Sequence, residues 1–390
     1  MKVSREILNL VPYRPGKPIS ETKREFGLDR VIKLASNENP LGPSPLALVA
    51  VQKALQNQHR YPDPTCYDLI STLSDRWRIP PNNLGIGNGS DEIIDLLIRI
   101  YCEPGDSILT SQAAFAAYEV SAGAARVKVA KVPLRSDYGI DLQVMADYFL
   151  KNSTTQRIRL IFVPNPNNPT GRFIPRVEIE KFISTLGGRD DVLLVFDEAY
   201  NEFVRHPDYE SVFKQVLLTN NLVLLKTFSK SFGMAGFRLG TLIAPSEVIE
   251  LFNRVRKPFN VNDLAQVAAI AAIDDQKFIQ ESQRLTWEGL DFFMAELTRL
   301  QLPWIPSEGN FITFDTGRDA LKVYEALLRR GIILRPILNY GFKTHLRMSV
   351  GLMDENRAAI QALEAVLEHI PQEFFIPVPA RSPQTEGGPG

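Results

Sequence analysis

A lysine among serines and glycines, an aspartate three residues before a tyrosine, and an asparagine between prolines are the groups in this sequence best equipped for chemistry. Lys230 sits in TFSKSFGMAGFR (227–238), Asp197 and Tyr200 in DEAY (197–200), and Asn168 in PNPNNPTG (164–171). An amine in such a loop can bond to an aldehyde as an imine, and it does so best when nearby cations and desolvation lower its pKa. A carboxylate such as Asp197 can face a ring nitrogen and keep it protonated, while Tyr200 and Asn168 can hydrogen-bond a ring oxygen. An anionic group would find backbone N–H groups at Gly89-Ser90-Asp91, where a helix begins, together with Ser229 and Arg238. One cofactor asks for all of these at once: pyridoxal phosphate, with Lys230 as its Schiff-base lysine and Asp197 against its pyridine nitrogen.

Each residue taken singly has a plainer role. Most lysines after a strand are simply solvated, and Lys226 is the obvious competitor, although it closes an apolar run whereas Lys230 lies in the loop. Asp197 alone could cap a helix, Tyr200 could be core, and GNGSDEII (87–94) could be a tight turn with Ser90 as N-cap. Gly85, Gly87 and Gly89 imitate a dinucleotide fingerprint, but position 90, where the third glycine belongs, is serine. The chain has no GxxxxGK[ST] run and no GxSxG. The joint spacing makes the case.

The elements that must position these groups can be read from the apolar pattern. RLIFV (159–163), VLLVF (192–196), LVLLK (222–226) and RLGTLIA (238–244) are apolar throughout, as expected of parallel strands covered on both faces. The spacing between the first three leaves room for a crossover helix in each connection, whereas RLGTLIA follows too closely and is expected to run antiparallel. Asn168, Asp197 with Tyr200, and Lys230 each lie just past a strand's C-terminal end, the edge where open α/β sheets bind ligands. Helices are expected over 45–57, 246–257, 263–298, 319–330 and 353–370, with FITFD (311–315), GIILRP and HLRMSVG as strands of a smaller α/β unit. Residues 1–40 could belong to that unit or bridge to it.

The composition excludes several functions. With 44 basic and 45 acidic residues there is no general excess of positive charge for a nucleic-acid backbone. Two cysteines and four scattered histidines show no metal-ligand spacing, so no metal is expected. The N-terminus has no apolar signal region and no stretch reaches the ~18–20 apolar residues of a membrane span, so a cytoplasmic location is expected.

The run TFSKSFGMAGFRLG, with NPNNPTG and DEAY, resembles the class I/II aminotransferases of fold type I. A finer resemblance, to the histidinol-phosphate aminotransferases, rests on NENPLGPSP (37–45), YPDP (61–64), GNGSDEII, FDEAYNEF, KPFNVNDLAQ (257–266), PSEGNF (306–311) and LRMSVG (346–351), in that family's order. It implies a large domain with a mostly parallel seven-stranded sheet between helices, plus a smaller α/β domain. Residues 1–45 would associate with the small domain and a dimer partner, 46–257 would be the cofactor domain and 258–373 the small domain; the tail over 374–390, which ends in the low-complexity PARSPQTEGGPG, is expected to be disordered by its composition. The resemblance also implies that Phe115 stacks on the cofactor ring and that Tyr61 reaches the phosphate of the other subunit of a homodimer. Arg347 would hold the substrate's anion, with Arg335, Tyr13 and Asn37 as further substrate contacts. Lys230 would shuttle the proton in a ping-pong exchange between glutamate and imidazole acetol phosphate, giving 2-oxoglutarate and L-histidinol phosphate. Aromatic aminotransferases and decarboxylases of phosphorylated amino acids share part of this pattern and stay open as alternatives. One departure borders the pocket: SQAAFAAYE (111–119) lacks the proline that usually precedes the stacking aromatic.

Overall fold

The computed structural model describes residues 16–372, together with Val3, Arg5–Leu8 and Leu10, so Tyr13 and the tail over 374–390 lie outside the described residues. Seven strands form the larger sheet: β1 (Leu84–Gly87), β2 (Ser107–Ser111), β3 (Lys128–Val132), β4 (Ile158–Pro164), β5 (Leu193–Asp197), β6 (Leu222–Thr227) and β7 (Gly240–Ile243). Their order is β1-β7-β6-β5-β4-β2-β3. All neighbours are parallel except β7, which runs antiparallel to both β6 and β1, as its short connection requires.

The central strands are apolar throughout because alternate side chains enter two different layers. Ile161, Val163, Leu194, Phe196, Leu222 and Leu224 join one core; Leu160, Phe162, Leu193, Val195, Val223 and Leu225 join the other. Each fully buried side chain of this kind contributes about 1.5–3 kcal/mol relative to exposure. The connection from β4 to β5 holds the helix Arg176–Leu186. The connection from β5 to β6 does not hold the α-helix the spacing suggested. It carries only the short 3₁₀ turns Asn201–Phe203 and Gln215–Leu217. The polar stretch around Pro207 breaks helical periodicity, and Glu198 holds the returning chain by accepting from the Ser211 hydroxyl and the Val212 N–H.

The smaller unit has four antiparallel strands, ordered Arg335–Pro336, His345–Ser349, Phe311–Asp315 and Trp304–Ile305. Its core includes Leu290, Phe293, Ile312, Phe314, Leu346 and Ile360. Ile32 and Leu34 belong to the same core, and Ile32–Lys33 pairs in parallel with Ile332–Ile333. The N-terminal segment therefore docks on the smaller unit. The change of core does not fall at 257/258. Val261, Ala265, Ala268, Ala269, Ala272, Phe278 and Ile279 pack into the large-sheet core, and only beyond them, at Leu290 of the helix Gln276–Arg299, does the small core begin. Periodicity missed this because the helix expected over 263–298 is two helices. Asp275 caps the second by accepting from the Phe278 N–H at 3.2 Å, and this turns the chain between them.

Candidate active site

The C-terminal ends of β4, β5 and β6 present Pro164, Asp197 and Thr227 to one cavity of about 230 Å³. Asn168, Tyr200, Ser229, Lys230 and Arg238 line it from the loops that follow, Ser90, Asp91 and Phe115 from the large domain, and Asn37 and Arg347 from the smaller unit's side. The lysine and the aspartate thus open into the same space.

Asp197 is 5% exposed, and two donors hold its carboxylate: the Tyr118 hydroxyl to Oδ2 at 2.7 Å and the Ala199 N–H to Oδ1 at 3.2 Å. Burial pushes its pKa up to about 6; Lys230 pulls against that rise and Asp91 adds to it. Tyr200, also buried, accepts from Asn37 Nδ2 at 3.0 Å and from Asn168 Nδ2 at 3.2 Å. With both acceptor positions on its oxygen filled, the hydroxyl proton is left to donate into the cavity. Asn168 Oδ1 accepts from Arg347 Nη1, and Arg347 Nη2 donates to the Ala35 carbonyl at 2.8 Å, while its guanidinium lies 5.3 Å from the centre of the Phe311 ring. Arg347 is a buried, pre-oriented fork. Lys230 Nζ lies 3.4 Å from the Ser36 carbonyl and 5.7 Å from the centre of the Tyr200 ring.

The other end of the cavity suits an anion. The helix Gly89–Tyr101 starts there with no side-chain cap, leaving its first N–H groups available. Asn88 holds the N-cap position, not Ser90 as the motif suggested. Gly89 has φ +78°, and a Cβ on it would lie 2.6 Å from an Arg238 guanidinium nitrogen. A Cβ on Gly240, in β7, would lie 2.5 Å from the Ser90 nitrogen. Only glycines leave the cradle open. Asp91 aims its carboxylate at Arg238, 3.1 Å away, so it steers the arginine and offers an anion only its backbone N–H. Pyridoxal phosphate fits this donor set. Its phosphate would sit at Gly89–Asp91, Ser229 and Arg238, its ring against Phe115, its ring nitrogen toward Asp197, its ring oxygen at Tyr200, and its aldehyde within reach of Lys230.

The sequence from residue 29 to 363 matches the family of class I and II aminotransferases. The chain belongs to the class I and II aminotransferases. It is 63% identical to the histidinol-phosphate aminotransferase of Bdellovibrio bacteriovorus, over 95% of this chain and 99% of that one. It is 42% identical to histidinol-phosphate aminotransferase 2 of Hydrogenovibrio crunogenus, over 94% of this chain and 96% of the other. In fold it is similar to the crystal structure of histidinol-phosphate aminotransferase from Sinorhizobium meliloti in complex with pyridoxal-5'-phosphate. That match has a TM-score of 0.84 and 24% identity, and it covers 94% of this aminotransferase and 98% of the other chain.

Not every expected residue reaches the cavity. Asn37 lines it, but its polar atoms are engaged inside the protein: its N–H donates to Ser349 Oγ, its carbonyl accepts from Asn310, its Oδ1 accepts from Ser349 and its Nδ2 serves Tyr200. It positions the tyrosine from the wall of the cavity. Arg335 is the Cα partner of Arg347 across the small sheet, so both project from the same face, yet Arg335 is not among the residues lining the cavity. Tyr61 is 82% exposed, stacked on Phe259 at 4.6 Å, and likewise does not line this chain's cavity. Tyr118 is the partner that sequence reasoning missed. The available signal was its place only three residues after Phe115, at the start of the helix that follows that loop.

Proposed function

We propose that this aminotransferase exchanges an amino group between glutamate and imidazole acetol phosphate, giving 2-oxoglutarate and L-histidinol phosphate, with pyridoxal phosphate as cofactor. The observation that carries the chemistry is the shared cavity, with the Lys230 amine and the Asp197 carboxylate opening into one space beside an anion cradle. The choice of substrate is supported by the names of the relatives at 63% and 42% identity.

When bound, the cofactor supplies an aldehyde that takes up amino groups and a ring that draws electron density from the substrate's Cα. Asp197, shielded from water, holds a proton on the ring nitrogen through charge that solvent does not screen. Tyr200 donates its remaining proton to the ring oxygen. The Lys230 amine would hold the aldehyde and, when free, would take the proton from the substrate's Cα as a positioned base and return it as an acid. The Arg347 fork matches the carboxylate of glutamate in one half-reaction and a phosphate in the other.

Exposed Leu46, Leu48, Val49, Leu55, Tyr61 and Tyr67 gather apolar surface in one stretch of sequence, which supports a homodimer in which Tyr61 reaches the partner's phosphate cradle. Arg335 and Tyr13 are assigned to the substrate's phosphate. A cytoplasmic setting is supported by two free thiols that burial renders unreactive, Cys66 pushed up to about 11 and Cys102 to about 12.

The test is a paired assay with glutamate as donor and either imidazole acetol phosphate or phenylpyruvate as acceptor. A site that holds a phosphate by buried charge should favour the phosphorylated acceptor in kcat/KM by ~10²–10⁴-fold. Equal or reversed preference would assign the enzyme to aromatic keto acids.

A further inference from the structure

Tyr118 lies on the helix Ala117–Ala124, directly after the loop that carries Phe115. It is fully buried, its ring stacked on Phe162 of β4 at 4.6 Å and edge-on to Phe115 at 5.8 Å. Its hydroxyl lies 2.7 Å from Asp197 Oδ2. We infer that Tyr118 is a positioning residue for the cofactor's chemistry, its hydroxyl keeping the Asp197 carboxylate ionised and aimed into the cavity while its ring braces Phe115. The inference rests on the reading that this cavity holds pyridoxal phosphate.

The physical reasons are local. A carboxylate buried this deeply reverts toward its neutral form unless donors favour the charge, and only the ionised form holds a proton on the ring nitrogen. Among the groups facing Asp197, Tyr118, the Ala199 N–H and Lys230 favour the charge, while Asp91 opposes it. Tyr200 also lies within electrostatic reach of Asp197, and Tyr340 within reach of Tyr118. Lys230 must change its bonding during turnover, which leaves Tyr118 as the side-chain donor that stays in place. Burial and the adjacent carboxylate push the tyrosine's own pKa well above its usual range, so it stays a donor. The same contact helps hold the loop 111–119, which lacks the expected proline, together with Asn167 Nδ2 donating to the Ala113 carbonyl and the Gln112 N–H to the Val132 carbonyl. Tyr118 ties it to β4 and β5 from below Phe115.

The test uses apoprotein and added pyridoxal phosphate, with affinity measured by equilibrium dialysis between about pH 5.5 and about pH 8.5. Tyr118→Phe removes only the hydroxyl. Its loss of affinity should be about tenfold or more near pH 6.5 and shrink to under about threefold near pH 8.5, because the aspartate without its donor takes up a proton at higher pH. In an Asp197→Asn background the same substitution should have little effect, since the charge it serves is gone. Site-specific 3-fluorotyrosine at 118 keeps the shape and strengthens the donor, so it should move the wild-type profile toward lower pH. A pH-independent loss, a loss that persists beside Asp197→Asn, or a fluorotyrosine profile that stays put or moves upward would overturn the inference and leave the functional reading standing. Failure of the wild-type protein to bind the cofactor at any pH would overturn both.

Discussion

Lys230→Ala should lower kcat at least about 10⁴-fold and remove the visible absorption of covalently held cofactor, while the protein stays folded. The large effect follows because one amine does two jobs, attaching the cofactor and moving the Cα proton. Among the described residues no other lysine lines the cavity. Lys226 is not among the residues lining the cavity, and its ammonium is held by Glu202 at 2.8 Å and by Asn201. The fold should survive because backbone contacts hold the loop independently of the lysine side chain. The Gly233 N–H donates to the Lys230 carbonyl at 3.0 Å, the Met234 N–H to the Phe228 carbonyl at 3.0 Å, and Asn39 Nδ2 to the Ser231 carbonyl at 3.1 Å. Stability should therefore change by less than about 1 kcal/mol. Steady-state rates and an absorption spectrum check both halves. Activity within tenfold of wild type would remove Lys230 from the chemistry.

Asp197→Asn should trade function for stability. Without a carboxylate against the ring nitrogen, kcat should fall by about 10²–10⁴-fold and cofactor affinity should weaken as well. In the ligand-free protein the same change should be stabilising at neutral pH. The folded-state pKa of Asp197 is raised by burial to about 6, above the ordinary value of 3.8. Its contribution to stability is thus fully present below about pH 3.8 and is lost as pH rises through about 6. Above that, burying the charge costs on the order of 3 kcal/mol. Asparagine avoids the cost and keeps both hydrogen bonds, since its oxygen can accept from the Ala199 N–H while its amide donates to the Tyr118 oxygen. Denaturant unfolding of apoprotein at pH 4.5 and pH 7.5 should show the variant's stability relative to wild type rising by about 2 kcal/mol between the two. A variant less stable than wild type at pH 7.5 would contradict the account of this buried charge.

How far the fold can be read from the sequence depends on how much side chain each element carries. The strands β4 to β6 stand out as apolar runs because both of their faces are covered. β1 does not. It is LGIG, and half its positions have no side chain because the structure needs their absence: a Cβ on Gly87 would lie 2.5 Å from Ile93. β3 is KVAKV, an edge strand whose exposed lysines guard it against further pairing and so disguise its pattern. The position of the domain change was hidden because the apolar faces of Asp263–Ala272 and of the start of Gln276–Arg299 look alike whichever core they enter.

At the site, the residues that motif and strand end place together do meet: Asn168, Asp197, Tyr200, Lys230, Arg238 and Arg347 share one cavity. What the sequence withheld was the pairing among them. Nothing in residue type announces that Asn37 serves Tyr200, that Asp91 steers Arg238, or that Tyr118 reaches Asp197 across 79 positions of chain. Such contacts depend on the three-dimensional path of the backbone. Tyr61 and Arg335 remain outside this chain's cavity, so roles for them require a second subunit or a bound substrate.

The most direct measurement is borohydride reduction of the protein loaded with pyridoxal phosphate, followed by peptide mapping by mass spectrometry. Reduction fixes the cofactor to whichever amine holds it, and the pyridoxyl group should be found on Lys230 alone. A label on Lys226 or another lysine, or none at all, would show that the aldehyde does not sit between the amine at 230 and the carboxylate at 197.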